Sequence, residues 1–304
     1  MSACGAESEP NQRAMDTATH PAVPCDVLEL AQGLTPETLA EIAVLEADTV
    51  SADGGRLKLE WSVLESRSGD EVQDVLWWEE GRLVGFLGLY SFGGLTVEVA
   101  GMVHPNFRRR GFGTRLLDEA MKLCRERGHR KLLLVAPRTS VGAQVLAESR
   151  NGFLEHSEHA LDLKGAVSDG PTDPSLTLRP AVNDDAASLA RILEEAFGSP
   201  WNPHDLEALG DSTLVGERDG LVIATLRVHR STEQWSIYGF AVEPPHRSRG
   251  VGRDLLRRVC RQANEAGVTW LHLEVEVNND RALGLYTSLG FTRTSTDDYF
   301  EIPL

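Results

Sequence analysis

The sequence predicts an α/β protein made of two copies of one domain. Three observations carry this. Val103-His104-Pro105-Asn106-Phe107-Arg108-Arg109-Arg110-Gly111-Phe112-Gly113 aligns without a gap with Val242-Glu243-Pro244-Pro245-His246-Arg247-Ser248-Arg249-Gly250-Val251-Gly252, an offset of 139 residues (Val103 to Val242). Each copy lies between an apolar, strand-like run and an amphipathic helical stretch. Each half also shows the same succession of strand, helix, hairpin, strand, glycine loop, helix, strand, helix and strand, an α/β sandwich pattern. A chain of 304 residues accommodates two such domains of about 150 residues.

Taken in order, residues 1–24 are rich in Ala, Ser, Glu, Thr and Pro, with neither a basic n-region nor an apolar h-region. They read as a disordered leader, not a secretory signal. The N-terminal domain is expected over 25–163. It opens with a strand at Val27–Leu30 and a helix from about Pro36 to Ala47. Leu76–Trp78 and Leu83–Tyr90 form a hairpin turning at Glu80-Gly81, and a strand follows the glycine loop and its helix at Lys131–Val135. Residues 164–175, short of apolar side chains and rich in Gly, Pro and Asp, form a linker.

The C-terminal domain, 176–304, begins with Leu176–Pro180 and a helix from about Asp184 to Phe197. Its hairpin, Thr213–Glu217 and Leu221–Val228, turns at Asp219-Gly220, a favoured hairpin dipeptide. Trp235–Val242 is a strand that stops at Pro244-Pro245. Val251, Leu255, Val259 and Ala263 then share one helical face, Gly267 ends that helix, and Trp270–Val277 is the next strand. Both halves close with a short helix and a Gly-Phe pair, Gly152-Phe153 and Gly290-Phe291, at lengths that differ by one residue.

Composition narrows the function. An apolar content of 41% suits a globular protein, and no apolar run approaches the roughly 20 residues needed to span a bilayer. A net charge of −16 argues against nucleic acid or an anionic membrane as the main partner and is compatible with a cationic acceptor. Cys4, Cys25, Cys124 and Cys260 lack metal-ligand spacing, as do His204, His229 and His246. Cys124 and Cys260 fall in helices as small buried apolar groups, which points to a reducing cytoplasm and no metal.

Against the acidic background the two loops stand out as anion sites. Backbone amides of a glycine loop leading into a helix N-terminus suit phosphate oxygens, and arginines add charge-assisted bonds. In the second half the residues concerned are Ala241, Val242, Arg247, Ser248, Arg249, Gly250, Val251, Gly252 and Arg253. In the first they are Met102, Val103, Arg108, Arg109, Arg110, Gly111, Phe112, Gly113 and Thr114. Neither loop has the Gly-Lys-Ser/Thr ending of a nucleotidase phosphate loop.

The pattern Arg247-x-x-Gly250-x-Gly252 resembles the acetyl-CoA loop of the GCN5-related N-acetyltransferase (GNAT) superfamily. The run Leu273-Glu274-Val275, then Asn279-x-x-Ala282-x-x-Leu285-Tyr286-x-x-x-Gly290-Phe291, is similar to the closing motif of many of its members. The resemblance covers nearly the whole chain from residue 25. It implies two tandem domains, each with a mixed, mostly antiparallel central sheet flanked by helices, and acetyl-CoA as cosubstrate. It assigns Tyr286 the role of general acid toward the CoA thiolate, and Asn279 contacts with the pantetheine amides. It also places the oxyanion's backbone donors near Phe240 to Val242.

Acetyl transfer to an amine with a pKa of about 10 calls for a base near neutrality. Glu274, beside the cleft, is the first candidate; Glu276, on the same face by strand alternation, and Glu243 follow. The first half keeps the loop but reads Leu134-Val135-Ala136 where the second reads Leu273-Glu274-Val275. Alignment through Gly-Phe sets Glu148 against Tyr286 and Val141 against Asn279. A catalytically degenerate first half is therefore expected, supporting the second or shaping its acceptor cleft. The expected activity is transfer to the primary amine of a small molecule by direct attack. Such an uneven tandem also looks like the mycothiol synthase family, which acetylates a cysteinyl-sugar amine. The competing reading is a non-catalytic acetyl-CoA-binding regulator, which would have no need of Glu274 and Tyr286; a protein acetyltransferase would instead need an open acidic groove. The tandem is expected to act as a monomer, its halves a pseudo-dimer, or as a homodimer.

Overall fold

A computed structural model describes residues 27–91, 95–167, 170–198 and 212–304. The expected leader, Cys4, Cys25, His204 and part of the linker, Ser168-Asp169, lie outside the described residues.

The first half runs β1 (Val27–Ala31), α1 (Pro36–Asp53), α2 (Trp61–Glu65), β2 (Asp74–Glu79), β3 (Arg82–Tyr90), β4 (Thr96–Val103), α3 (Phe112–Glu126), β5 (Lys131–Pro137), α4 (Val141–Glu148) and β6 (Phe153–Lys164). The second runs β7 (Leu176–Pro180), α5 (Ala186–Phe197), β8 (Thr213–Arg218), β9 (Leu221–Arg230), β10 (Gln234–Val242), α6 (Val251–Glu265), β11 (Trp270–Glu276), α7 (Asp280–Thr287) and β12 (Thr292–Pro303). Local chemistry explains the boundaries. Thr35 caps α1 by accepting from the Thr38 amide at 3.2 Å, and Gly54, at φ +73°, ends the helix six residues beyond the expected stop. Both hairpins turn through two left-handed residues, Glu80-Gly81 and Asp219-Gly220, the primed turn that matches strand twist.

All twelve strands form one sheet, in the order β1-β2-β3-β4-β5-β12-β6-β11-β10-β9-β8-β7. Among the described residues only β4–β5 and β10–β11 pair in parallel; the other ladders are antiparallel. The last strand of each half is exchanged: β12 pairs with β5 of the first half, and β6 pairs with β11 of the second. β6 and β12 then pair with each other at the centre, relating the halves by a pseudo-two-fold. Sequence order does not reveal this exchange, because each half lists its strands in the same succession whichever sheet they complete.

Helices cover both faces. α3 packs Leu116, Leu117, Ala120 and Cys124 against Val75, Val99 and Leu134, and Phe300 and Ile302 of β12 join that core. α6 packs Leu256, Val259, Cys260 and Ala263 against Leu271, Leu273 and Val275. On the opposite face α1 sets Ile42 and Leu45 on Phe86, Val135 and Tyr299, while α5 sets Leu189 and Ile192 on Val215 and Ala241. Burial pushes the Cys124 and Cys260 thiols up to about 11 and about 12, so both behave as apolar groups.

One alignment is corrected. Gly152 donates its amide to Ala147 O at 2.9 Å, and the residue in the same position of the second half is Phe291, bonded to Tyr286 O at 3.2 Å. The left-handed residue before it is Asn151 (φ +58°) in one half and Gly290 (φ +98°) in the other. Asn is among the residues with a Cβ that enter that region most readily, so the Gly-Phe pairs are displaced by one and the 139-residue offset holds to the end. Tyr286 therefore matches Ala147, and Asn279 matches Ser140, each the cap of its helix.

Candidate active site

The parallel ladder between β10 and β11 ends at Ile237↔Leu273, although β10 continues to Val242 and β11 to Glu276. β10 is irregular there: its register with β9 shifts between Tyr238 and Ala241, and Gly239 adopts φ +56°. A glycine in the left-handed region kinks the strand outward as a bulge. Past Ile237 the backbone of β10 faces an opening instead of a partner strand. This splay lies where the resemblance implied the oxyanion's backbone donors, near Phe240 to Val242.

Beside that opening lies a cleft of about 510 Å³. Ala241 and Val242 form one wall; Arg247, Ser248, Gly250, Gly252 and Arg253 supply the basic end; Asn279 and Tyr286 face them. Nine of the expected residues thus converge. Ser248 (φ +60°) and Gly250 (φ +83°) shape the loop, and Arg247 is anchored by its Nε donating to Val242 O at 2.5 Å. The two glycines act differently. A Cβ on Gly250 would meet nothing within 4 Å, so its requirement is conformational; one on Gly252 would meet Leu285 at 3.2 Å and Phe240 at 3.4 Å. Val251 does not face the cleft, because its side chain is buried against Leu176 and Leu255, and Arg249 is not on the wall either. Arg281, unforeseen from sequence, joins the basic end and donates to Ser248 Oγ. Its position two residues after the Asn279 cap was the available signal.

Tyr286 is 7% exposed, makes its ring contact with Phe291 at 6.0 Å between centroids, and its hydroxyl has no hydrogen-bond partner among the described residues. Burial pushes its pKa up to about 12, so the phenol holds its proton across the working range. Asn279 Oδ1 accepts from the Ala282 amide at 3.1 Å, which leaves its NH2 toward the cleft.

The three candidate carboxylates stand in different surroundings. Leu273 and Val275 face the α6 core with Tyr286, so His272, Glu274 and Glu276 face the opposite side of the sheet. Glu274 Oε1 pairs with Arg56 and Oε2 with Lys58 Nζ at 2.6 Å, both from the segment between α1 and α2. Burial opposes the charge, but His272, Lys58 and Arg56 outweigh it and hold this carboxyl far below the usual range. A carboxylate so stabilised is a weaker proton acceptor than a free one, and it stays at the opening. Glu243 is bound by Arg191 and lines a separate hollow with Asp184 and His246, away from the cleft. Glu276 is exposed. His272, also unforeseen, bonds Asp162 through Nδ1 at 2.8 Å and sits 3.8 Å from Glu274 through Nε2. Burial would depress its imidazole, yet the Asp162 and Glu274 carboxylates leave it raised.

The first-half loop has the same backbone, with Arg109 at φ +64° and Gly111 at φ +88°, and Arg108 Nε bonds Val103 O at 3.0 Å. Its surroundings differ. The Arg108 guanidinium is already held by Asp53 at 2.8 and 2.7 Å, and Arg110 lies 3.7 Å from Glu79. Phe112 is stacked on Trp77 in the core, and Met102 is buried beneath α1, so neither side chain is offered to a ligand. The β3–β4 register is continuous, without the bulge of β10. Ala147 stands where the second half has its phenol. Val103, Gly113 and Thr114 occupy the loop positions that match Val242, Gly252 and Arg253.

The GNAT acetyltransferase family model matches residues 40–153 and 186–291, one match in each half. The chain belongs to the GNAT acetyltransferase family. A mycothiol acetyltransferase from Kineococcus radiotolerans is 32% identical over 283 residues, covering 84% of this chain and 90% of that protein. One from Thermomonospora curvata is 27% identical over 300 residues, covering 91% and 97%. Among solved structures, a GCN5-related N-acetyltransferase from Sphaerobacter thermophilus superposes with a TM-score of 0.78 at 20% identity, over 92% of this chain and 96% of that one. A tandem GNAT protein from the clavulanic acid biosynthesis pathway gives 0.67 at 18%, over 91% and 98%. These two likenesses establish the tandem GNAT fold. Among the described residues, no helix is long and apolar enough to cross a membrane.

Proposed function

We propose that this GNAT enzyme transfers the acetyl group of acetyl-CoA to the primary amine of a small molecule, by direct attack in the C-terminal half. The splayed β10–β11 pair beside a basic loop and an unpartnered Tyr286 hydroxyl carries the reading. Phosphates of the cosubstrate would lie on the loop amides with Arg247, Arg253 and Arg281 around them. Pantetheine would run along the free backbone of β10, with Asn279 opposite. The amine nitrogen attacks the thioester carbonyl carbon from the Glu274 face, and backbone N–H groups near Phe240–Val242 receive the oxyanion. The C–S bond then breaks; the sulfur takes the Tyr286 proton, and the ammonium nitrogen of the adduct gives its proton to water. Products are the N-acetyl amine and CoA thiol, and Tyr286 is reprotonated from solvent.

The whole-length similarity to mycothiol acetyltransferases favours a second, narrower reading at the same site, a cysteinyl-sugar amine as acceptor. Thiol release from acetyl-CoA against polyamines, amino acids, aminoglycosides, cysteinyl sugars and peptides tests both. Selective turnover of the cysteinyl sugar supports the narrower reading, and turnover of another small amine the broader one. Tight CoA binding with no turnover on any amine would favour a regulatory protein instead.

A further inference from the structure

The degenerate half reaches into the other half's chemistry. After α1 ends at Gly54, the chain Gly54-Gly55-Arg56-Leu57-Lys58-Leu59-Glu60 crosses to the exchanged strands. Leu57 and Leu59 pack into the α1 core, which leaves the alternating Arg56 and Lys58 side chains pointing the other way. Arg56 pairs with Glu274 and, at 3.5 Å, with Asp297 of β12. Lys58 pairs with Glu274 at 2.6 Å and with Glu158 of β6 at 3.5 Å, and its Nζ lies 5.0 Å from the centre of the Tyr299 ring.

We infer that the N-terminal half acts on the reaction through Arg56 and Lys58, positioning residues that hold Glu274 as a fixed carboxylate on the acceptor side of the splay. The inference rests on the acetyltransferase reading above. Glu274 sits one residue beyond the last β10–β11 pair, so a group attacking through the opening passes it. A carboxylate there attracts an acceptor that arrives as an ammonium, which gives one proton to water before its nitrogen attacks. Left alone in this buried place it would take up a proton and lose that attraction. The groups facing it are Arg56, Lys58 and Glu60 from the crossing segment, His272 on β11, Tyr238 on β10, Asp297 and Tyr299 on β12, and, around Lys58, Glu158 on β6 and Glu98 on β4. Most are acids or phenols, which disfavour the charge on Glu274. Only Arg56, Lys58 and His272 favour it, and the two permanent cations both come from the half that lacks a Tyr286. This gives a catalytically degenerate half a reason to be retained: its loss removes the counter-charge of the working site.

The test uses the full chain with Arg56→Gln, Lys58→Met, the double variant and Arg56→Lys. The expected result is an acid limb in kcat/KM for the amine that moves upward by about 1–3 pH units in the Gln and Met variants. It should return toward wild type in Arg56→Lys, with KM for acetyl-CoA unchanged throughout. Turnover in wild type with the same acid limb in every variant overturns the inference. Should wild type turn over no amine, the acetyltransferase reading is what fails. ¹³C titration of the glutamate carboxyls, with the Glu274 signal assigned by its loss in Glu274→Gln, then decides the present inference. A titration midpoint unmoved in the double variant overturns it, and a raised midpoint upholds the clamp.

Discussion

Replacing Tyr286 by Phe removes one oxygen from the cleft and little else. The ring keeps its edge contact with Phe291 and its place among Leu273, Val275 and Leu289. Among the described residues no hydrogen bond is broken, and a buried hydroxyl without a partner carries a desolvation cost, so stability should not fall. The chemical loss is different in scale. A positioned general acid contributes about 10² to 10⁴-fold, and expulsion of a thiolate into a cleft walled by Phe240 and Leu285 benefits from one. Thiol release at saturating acetyl-CoA and amine should therefore show kcat lower by about two orders of magnitude or more. KM for acetyl-CoA should stay within about twofold, because the phenol acts in the transition state and not in ground-state binding. In wild type, with Tyr286 pushed up to about 12, the acid should remain competent up to pH 10. An unchanged kcat in Tyr286→Phe would refute the assignment. A fall in kcat matched by a fall in melting temperature would show that the ring, not its hydroxyl, was needed.

Three further outcomes follow from the geometry. Gly250→Ala places a Cβ in open space but at φ +83°, so a left-handed strain of about 1–2 kcal/mol should appear as a lower melting temperature and weaker acetyl-CoA binding. Glu274→Gln leaves Lys58 buried with one counter-ion fewer; breaking a buried pair costs about 3–5 kcal/mol, and the low end applies because Arg56 keeps Asp297 and Lys58 keeps Glu158. Because the folded Glu274 pKa lies below its unfolded value, its contribution is present above about pH 4.3 and fades as pH falls below that. Denaturant titrations from pH 7 to pH 3 should show wild type losing a stability increment that Glu274→Gln never had. Ile302→Ala, in the last strand of the chain but in the core of the first half, should cost about 2–5 kcal/mol. It should also lower the single unfolding transition of both halves, and two separate transitions with only one displaced would contradict the shared sheet.

Much of this was readable from the chain. The repeat, the loops and the helix faces depend on local spacing, and nine loop and motif residues do meet at one cleft. What was not readable is non-local. The splay is accompanied by a register shift on β10, and Gly239 alone gave no measure of it. The environment of Glu274 is set by Arg56 and Lys58, more than 200 residues earlier, brought over by the strand exchange. The conspicuous Gly-Phe pairs misdirected the alignment because Asn151 does in one half what Gly290 does in the other. His272 was within reach, since strand alternation puts it on the face of Glu274. Asp162, its partner, comes from the exchanged β6 and was not.

Acetyl transfer in the C-terminal cleft, with no turnover at its counterpart loop, separates the roles of Arg247 and Arg108. Amine-dependent thiol release by Arg247→Glu and by Arg108→Glu, measured side by side over a range of acetyl-CoA concentrations, tests it most directly. Arg247→Glu should raise KM for acetyl-CoA at least tenfold, about 1.4 kcal/mol for the lost phosphate contact and the added repulsion, and Arg108→Glu should leave kcat and KM near wild type. Turnover lost in Arg108→Glu and retained in Arg247→Glu would place the chemistry in the other half and contradict it.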